Sequence, residues 1–324
     1  MKADLAGSSI AVVGDVILDS FLDVSGPTRV SAEDDHAMCH TIERETLVPG
    51  GAGCAARCAS SLGDNVQLFS VTGNDGRAVK LTASLEACGI DAHLVADASR
   101  PTSTKRRIVL SQTGAQLMVL ELQSRNPISK LVEIALLEKF KATNAPVVLL
   151  SDYARGLCTP SLVSSISQHC LVHEKKLIVD GRERPLDWYT RNIPNLYLIT
   201  PNKREAGVMV GRTLNNQQDI ELAAEELSLR LGCNVLITLS EDGAFLRMWQ
   251  GGTTRYSAFN KKPISVSGAG DTLVATTALA VASGISLDDA CLLGQIAASI
   301  SVSKPGSDVA TGPEFREAVE MFQK

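Results

Sequence analysis

The chain has 324 residues, 44% of them hydrophobic and 21% charged, a globular balance that excludes wholesale disorder. Lys and Arg number 31 against 36 Asp and Glu, a net charge of −5, so the basic excess on which nucleic-acid affinity rests is missing. Seven Phe, four Tyr and two Trp are too few for a base-stacking platform, and no apolar run reaches the roughly 18 residues of a membrane span.

The length suits one large α/β domain over residues 1–324. The first residues carry no signal-peptide apolar stretch, and the eight cysteines are scattered without a Cys-x-x-Cys pair. Both point to free thiols in a reducing cytoplasm.

Along the chain, short apolar runs alternate with helical patterns. The runs are Ile10–Val13, Val66–Val71, Val147–Leu150, Leu177–Val179, Leu196–Ile199 and Val235–Thr238. Between them lie Gly53–Leu62, Gly76–Cys88 and Leu131–Thr143, which read as helices. Continuous apolar strands spaced by helices indicate a mostly parallel sheet covered on both faces, with ligands beyond its carboxyl ends. Those ends carry Asp15, Asp152, Asp180 and Asn202. Residues 17–48 and 100–122 break the rhythm with alternating segments such as Thr104–Leu110 and Gln116–Glu121, and predict a small antiparallel sheet near the substrate end.

Ser267-Gly-Ala-Gly-Asp-Thr272 is the most informative segment. It follows Pro263–Val266, which reads as a strand, and opens a helix over Thr272–Ser283 that Gly284 can end. Glycines at a helix N-terminus let backbone N–H groups face an anion, and the helix dipole favours negative charge there. Asp271 beside that anion can take a proton from a hydroxyl that attacks a phosphoryl group. The plainer alternative is a glycine turn with an Asp in the first helical turn. Thr200-Pro-Asn-Lys-Arg-Glu205 spaces Asn202 and Glu205 as a helix cap, and equally as a water-mediated Mg²⁺ and phosphate contact. Thr238-Leu-Ser-Glu-Asp-Gly243 offers hydroxyls and a turn to a nucleotide.

Other patterns carry less. Gly50-Gly-Ala-Gly-Cys-Ala-Ala56 mimics a dinucleotide fingerprint but follows Pro49 rather than closing the first strand, so close approach of backbone to a polyhydroxyl substrate fits better. Asp34, Asp35, His36, Cys39 and His40 lack a second ligand pair and read as a solvated loop. Gly-x-x-x-x-Gly-Lys-Ser/Thr and Gly-x-Ser-x-Gly are both absent, against a P-loop kinase and an α/β-hydrolase.

In their order and spacing these segments resemble the PfkB/ribokinase family of carbohydrate kinases. Gly14–Asp19 resembles its first sugar-binding turn, Gly50-Gly51 its N-terminal signature, and Asn202–Glu205 its Mg²⁺/phosphate motif. Thr238–Gly243 resembles the nucleotide loop, Val266–Thr272 the C-terminal signature, and Lys304–Gly306 the late loop near adenine. The resemblance implies a three-layer α/β/α sandwich with a small β lid, ATP as phosphoryl donor and Mg²⁺ as cofactor. It implies Asp271 as base and the N–H groups of Gly268, Ala269 and Gly270 as anion hole. Mg²⁺ is then held through water by Asn202 and Glu205. Thr238, Ser240, Glu241, Gly243 and Gly306 attend the nucleotide. Asp15, Asp19, Gly50, Gly51, Cys54 and Asp152 serve the sugar, and Lys105, Arg107 or Arg155 a substrate phosphate. A homodimer through the lid is expected, with a small-molecule sugar or sugar phosphate as partner and neither nucleic acid nor membrane.

Within the family the resemblance narrows to kinases of D-glycero-β-D-manno-heptose 7-phosphate, carried by Arg29–Glu33, Ser151–Gly156 and Thr102–Arg107. Departures gather on the sugar and lid side. Cys54 replaces an Asn, Ala32-Glu-Asp-Asp35 replaces Pro-Glu-Ala-Pro, Val119 replaces an Arg, and Asp180-Gly-Arg182 replaces Asp-Pro-Lys. Ser265 stands where many relatives have an Asp that helps hold K⁺. A nucleoside or small-alcohol kinase, or a non-catalytic sensor of the same fold, are the alternatives. The retained base turn speaks against the sensor.

Overall fold

The computed structural model describes residues 4–26, 29, 30, 38–182, 184–260, 263–304, 306 and 308–323. Asp34, Asp35 and His36, most of Arg29–Glu33, and Pro305 of Lys304–Gly306 lie outside the described residues.

In chain order the first half holds β1 (Ser9–Gly14), β2 (Val16–Val24), β3 (Arg29–Val30), β4 (Met38–Cys39), β5 (Ile42–Gly51), α1 (Ala52–Ser60), β6 (Asn65–Thr72), α2 (Gly76–Ala87), β7 (Asp91–Ala96), β8 (Thr104–Leu110), β9 (Gln116–Leu122) and α3 (Lys130–Lys141). The second half holds β10 (Val147–Asp152), α4 (Pro160–Val172), β11 (Lys176–Gly181), α5 (Leu186–Asn192), β12 (Leu198–Ile199), α6 (Lys203–Val210), α7 (Gln217–Leu231), β13 (Asn234–Thr238), β14 (Ala244–Arg247), β15 (Thr253–Tyr256), α8 (Ala269–Ala282), α9 (Leu287–Ser301) and α10 (Gly312–Gln323).

A nine-stranded sheet of order β15-β14-β13-β12-β11-β10-β1-β6-β7 forms the middle layer. From β13 to β7 the strands pair in parallel, and β14 and β15 add an antiparallel edge. The apolar strand runs serve two cores at once. In β1, Ile10 and Val12 face the core of α1, α2, α8, α9 and α10, whereas Ala11 and Val13 face that of α3–α7. Burial on both faces is why these strands carry no polar alternation.

The lid is a second sheet of order β5-β2-β8-β9. It is mixed rather than antiparallel, because β2 and β8 pair in parallel. The cause lies in the main sheet: β2 leaves the carboxyl end of β1, β8 leaves that of β7, and both source strands point the same way. Two outer pairings, β2–β5 and β8–β9, are antiparallel. The lid also reaches further inward than 17–48, since β5 runs to Gly51 against Val16.

Pro263–Val266 is not a strand. Ile264 and Val266 are 68% and 72% exposed; the Ile264 and Ser265 N–H groups donate to the Val302 carbonyl, and the Val266 carbonyl accepts from the Ala269 N–H, with no strand ladder. With no neighbouring strand to pair with, apolar alternation alone does not make a ladder.

Candidate active site

The turn before α8 is built on backbone. Gly268 caps the helix with φ +81°, a left-handed conformation that suits glycine. Behind it α8 is buried almost all round, from Thr272 to Val281, between α1 and α9. Gly294 lets α9 approach closely, since a Cβ there would lie 2.5 Å from the Thr277 hydroxyl. A helix so enclosed holds its N-terminal N–H groups rigidly.

Asp271, in the first turn of α8, lines a cleft of about 750 Å³ that lies across the carboxyl ends of the strands. Gly268, Gly270, Cys54, Asn202, Glu205 and Thr238 share this wall, while Asp19, Gly51, Lys105, Arg107 and Arg155 form the opposite, lid-side wall. The Tyr153 hydroxyl donates to Asp271 Oδ1 at 2.5 Å. Loss of hydration raises the Asp271 carboxyl above the usual carboxylate range, while Tyr153, Cys54 and Arg182 favour its ionised form.

Asn202 and Glu205 form a reciprocal capping box. The Glu205 N–H donates to Asn202 Oδ1 at 2.9 Å, and the Asn202 N–H donates to Glu205 Oε2 at 2.9 Å. The cap fixes both side chains at the cleft edge. Asp180 lies nearby and accepts from the Thr200 hydroxyl at 3.2 Å. Burial, followed by the charges of Asp271 and Glu205, pushes its carboxyl up to about 7. Among the described residues no three Asp, Glu, His or Cys side chains stand close enough to ligate a metal ion directly, so these carboxylates fit a divalent cation such as Mg²⁺ only through intervening water.

Of the expected nucleotide residues, Thr238 lines the cleft, and Ser240 instead lines a second cavity behind Asn202 and α6. Glu241 and Gly243 stand in a tight turn, where the Leu239 N–H donates to the Gly243 carbonyl at 2.8 Å. The Gly306 carbonyl accepts from the Ser265 hydroxyl at 2.5 Å. Ala269 belongs to the helix start without lining the cleft.

On the lid side the walls are ionic. Arg107 pairs with Asp19 at 3.2 Å, and Glu121 lies between Lys105 at 3.5 Å and Arg155 at 3.6 Å. Arg155 Nε and Nη1 are buried without a hydrogen-bond partner among the described residues. Arg125, Arg182 and Arg184 complete the cationic lining. Gly50 is a glycine for a packing reason, because a Cβ there would lie 2.7 Å from the Asp19 carboxyl carbon.

Two expected sugar ligands turn away from the cleft. Asp15 is buried, with Oδ2 accepting from the N–H groups of Tyr153 and Arg155 at 3.0 Å each and Oδ1 from that of Leu157 at 3.1 Å. Loss of hydration outweighs those bonds and pushes its carboxyl up to about 6. Asp152 is held by Arg184, Nη2 to Oδ2 at 2.7 Å, and accepts from the Ala154 N–H at 2.8 Å. Sequence reasoning missed Tyr153, Arg125 and Arg184. The Asp180-Gly-Arg182 departure pointed at Arg182, and Tyr153 lies in the Ser151–Gly156 segment that carries the resemblance, although the pattern gave it no role.

A family model described as "pfkB family carbohydrate kinase" matches residues 8–311. Proteins named "Bifunctional protein HldE" are similar over nearly the whole chain. The one from Azorhizobium caulinodans is 33% identical over 99% of this chain and 66% of its own length. The one from Caulobacter vibrioides is 34% identical over 98% and 65%. The chain thus spans slightly less than two thirds of these relatives. Among solved structures, Escherichia coli phosphofructokinase-2 in complex with substrates and products superposes with a TM-score of 0.80 at 20% identity, covering 98% of this chain and 100% of that one. Arabidopsis thaliana ribokinase complexed with ribose and ATP gives 0.73 at 18%, covering 97% and 99%. At these identities the superpositions establish a ribokinase-like fold.

Proposed function

The chain belongs to the pfkB family of carbohydrate kinases, and on that premise we propose that it transfers the γ-phosphate of ATP to a hydroxyl of a phosphorylated sugar of the heptose 7-phosphate type. The observation that carries the reading is the polarity of the cleft, with Asp271 at a backbone anion site on one wall and Lys105, Arg107, Arg125 and Arg155 on the other. The names of the HldE relatives support the heptose.

In this reading the acceptor hydroxyl gives its proton to Asp271 as its oxygen bonds to the γ-phosphorus. The bond from that phosphorus to the β–γ bridging oxygen breaks, and ADP leaves. The N–H groups of Gly268 and Gly270 face the charge on the transferring group, whereas that of Ala269 donates to the Val266 carbonyl at 3.4 Å. Asn202 and Glu205 would hold Mg²⁺ through water, and the bound ion would supply positive charge to neutralise the phosphates. Arg155, which lines the lid side of the cleft, holds the distal phosphate of the sugar. The lid excludes water that would otherwise take the phosphoryl group.

We assign a second copy of this chain to β9. Each of its seven residues is exposed, Leu117, Met118, Val119, Leu120 and Leu122 among them, and it is an edge of the lid sheet. An apolar edge strand of this kind is an unpaired template that a partner strand or sheet covers.

The test is an ADP-release assay with ATP and Mg²⁺ across D-glycero-D-manno-heptose 7-phosphate, other C6 and C7 sugar phosphates, their unphosphorylated sugars and nucleosides. Preference for a sugar phosphate supports the reading, and preference for a nucleoside or a plain sugar overturns it. Sedimentation of the intact chain, with and without Leu120→Lys, reads the dimer.

A further inference from the structure

We propose that Tyr153 is the positioning residue of the base: its phenol holds the Asp271 carboxylate by Oδ1, so that the other oxygen faces the acceptor hydroxyl and the carboxylate stays ionised. The inference rests on Asp271 being the base, as argued above, and gives Tyr153 a role that the sequence pattern did not assign.

Tyr153 is fixed at three points. Its backbone N–H donates to Asp15 Oδ2 at 3.0 Å, the Arg182 guanidinium lies 4.5 Å above its ring, and its hydroxyl donates to Asp271 Oδ1 at 2.5 Å. Ala154, the next residue, has φ +55°, an uncommon conformation for a residue with a Cβ, and turns the chain back toward Asp15 there. A ring held at its backbone, face and hydroxyl is preorganised rather than swept through space. Burial and the nearby carboxylates keep the phenol protonated far above neutral pH, so it remains a donor wherever the enzyme works.

The groups that face Asp271 come from several elements. Cys54 and Arg57 lie on α1, Asp180 ends β11, Arg182 follows it, and Asp19 comes from the lid strand β2. Asp180 and Asp19 oppose ionisation of Asp271 by like charge, and the two arginines favour it. Cys54 also gives Asp271 a side-chain hydrogen bond, and Tyr153 gives its Oδ1 a short, directional one at 2.5 Å, which sets the orientation of the carboxylate.

The test measures Asp271 directly. In the intact chain with ¹³C-labelled aspartate, the Asp271 carboxyl resonance, assigned by its loss in Asp271→Asn, is titrated in wild type and in Tyr153→Phe. The Phe variant keeps the ring under Arg182 and removes only the hydroxyl. We expect the Asp271 titration to move up by about one to two pH units, the size of one lost hydrogen bond to a charged group. An unmoved titration overturns the proposal, whatever the substrate. Kinetics with ATP and heptose 7-phosphate separate the two readings. If Asp271→Asn is inactive, Tyr153→Phe should lower kcat about tenfold, leave KM for the sugar within about twofold, and move the acid limb of kcat/KM upward. If Asp271→Asn keeps full activity, the base assignment falls and the positioning role falls with it. If Asp271→Asn is inactive while Tyr153→Phe matches wild type in kcat and acid limb, the positioning role alone is overturned.

Discussion

The two walls of the cleft are made differently. The Asp271 wall is backbone: consecutive residues Ser267–Asp271, one left-handed glycine, and a buried helix behind them. The lid wall is side chain: Lys105 and Arg107 from β8, Glu121 from β9, Asp19 from β2, and Arg155 from a loop beyond β10. A wall of contiguous backbone fixes phosphate chemistry with little freedom to vary, whereas one of separate side chains changes its ligand by single substitutions. Of the departures, Val119 falls in the lid, whereas Cys54 hydrogen-bonds Asp271 and Asp180 and Arg182 act on it by charge, so the variation also reaches the surroundings of that carboxylate.

The sharpest way to break the comparison is Asp271→Asn, which keeps shape and removes the proton acceptor. It should cost kcat about 10²–10⁴-fold with ATP affinity retained. A loss below about fivefold would mean that the backbone wall does not hold the chemistry. Next is Arg155→Ala on the opposite wall. Removal of a charge-assisted hydrogen bond to substrate phosphate should raise KM for the sugar phosphate about 10–100-fold and leave kcat nearly unchanged. A fall in kcat with KM constant would move Arg155 to the chemical wall.

The pH dependence of stability probes the carboxylates between the walls. Asp180 is raised to about 7 in the folded chain, so folding favours its protonated form. Its contribution is fully present below about pH 4 and lost as pH rises through 7. Asp180→Asn should therefore melt about 2–5 °C above wild type at pH 8, with the difference shrinking steadily toward pH 4. Equal melting at both ends would show that Asp180 is not buried against its neighbours in solution. The smallest effect concerns monovalent cations. The Ser265 hydroxyl already donates to the Gly306 carbonyl and brings no charge to offset the dehydration of an ion. Replacing K⁺ by a bulky organic cation at equal ionic strength should change the rate by less than about twofold. A tenfold drop would show that a cation is held there without that carboxylate.

Local order made much of this legible in sequence. The helix opening at Gly268–Asp271 and the Asn202–Glu205 cap are runs of neighbouring residues, and spacing alone places their atoms. Alternating strands and helices likewise gave the parallel sheet, because burial on both faces writes itself into composition. Where three-dimensional partners decide, the reading failed. Asp15 resembles a sugar ligand at a strand end, yet its oxygens are taken by N–H groups 138, 140 and 142 residues away. Tyr153 reaches the base only because Asp15 holds its backbone, a dependence that no window along the chain contains. The parallel pairing of β2 with β8 follows from the directions of β1 and β7, and Pro263–Val266 lost its strand for want of a neighbour.

The placement of Asp15 also bears on how such an enzyme can be re-engineered. It sits at the seam where β1 of the main sheet passes into β2 of the lid, and it grips the loop that carries both Tyr153 and Arg155. The lid is therefore not an interchangeable module. A graft that imports another kinase's strands but leaves this joint mismatched would misplace Tyr153, proposed to steady the base, and Arg155, proposed to meet the sugar's phosphate, together. A transplant that carries Asp15 and residues 153–157 as one unit moves recognition and catalysis in register.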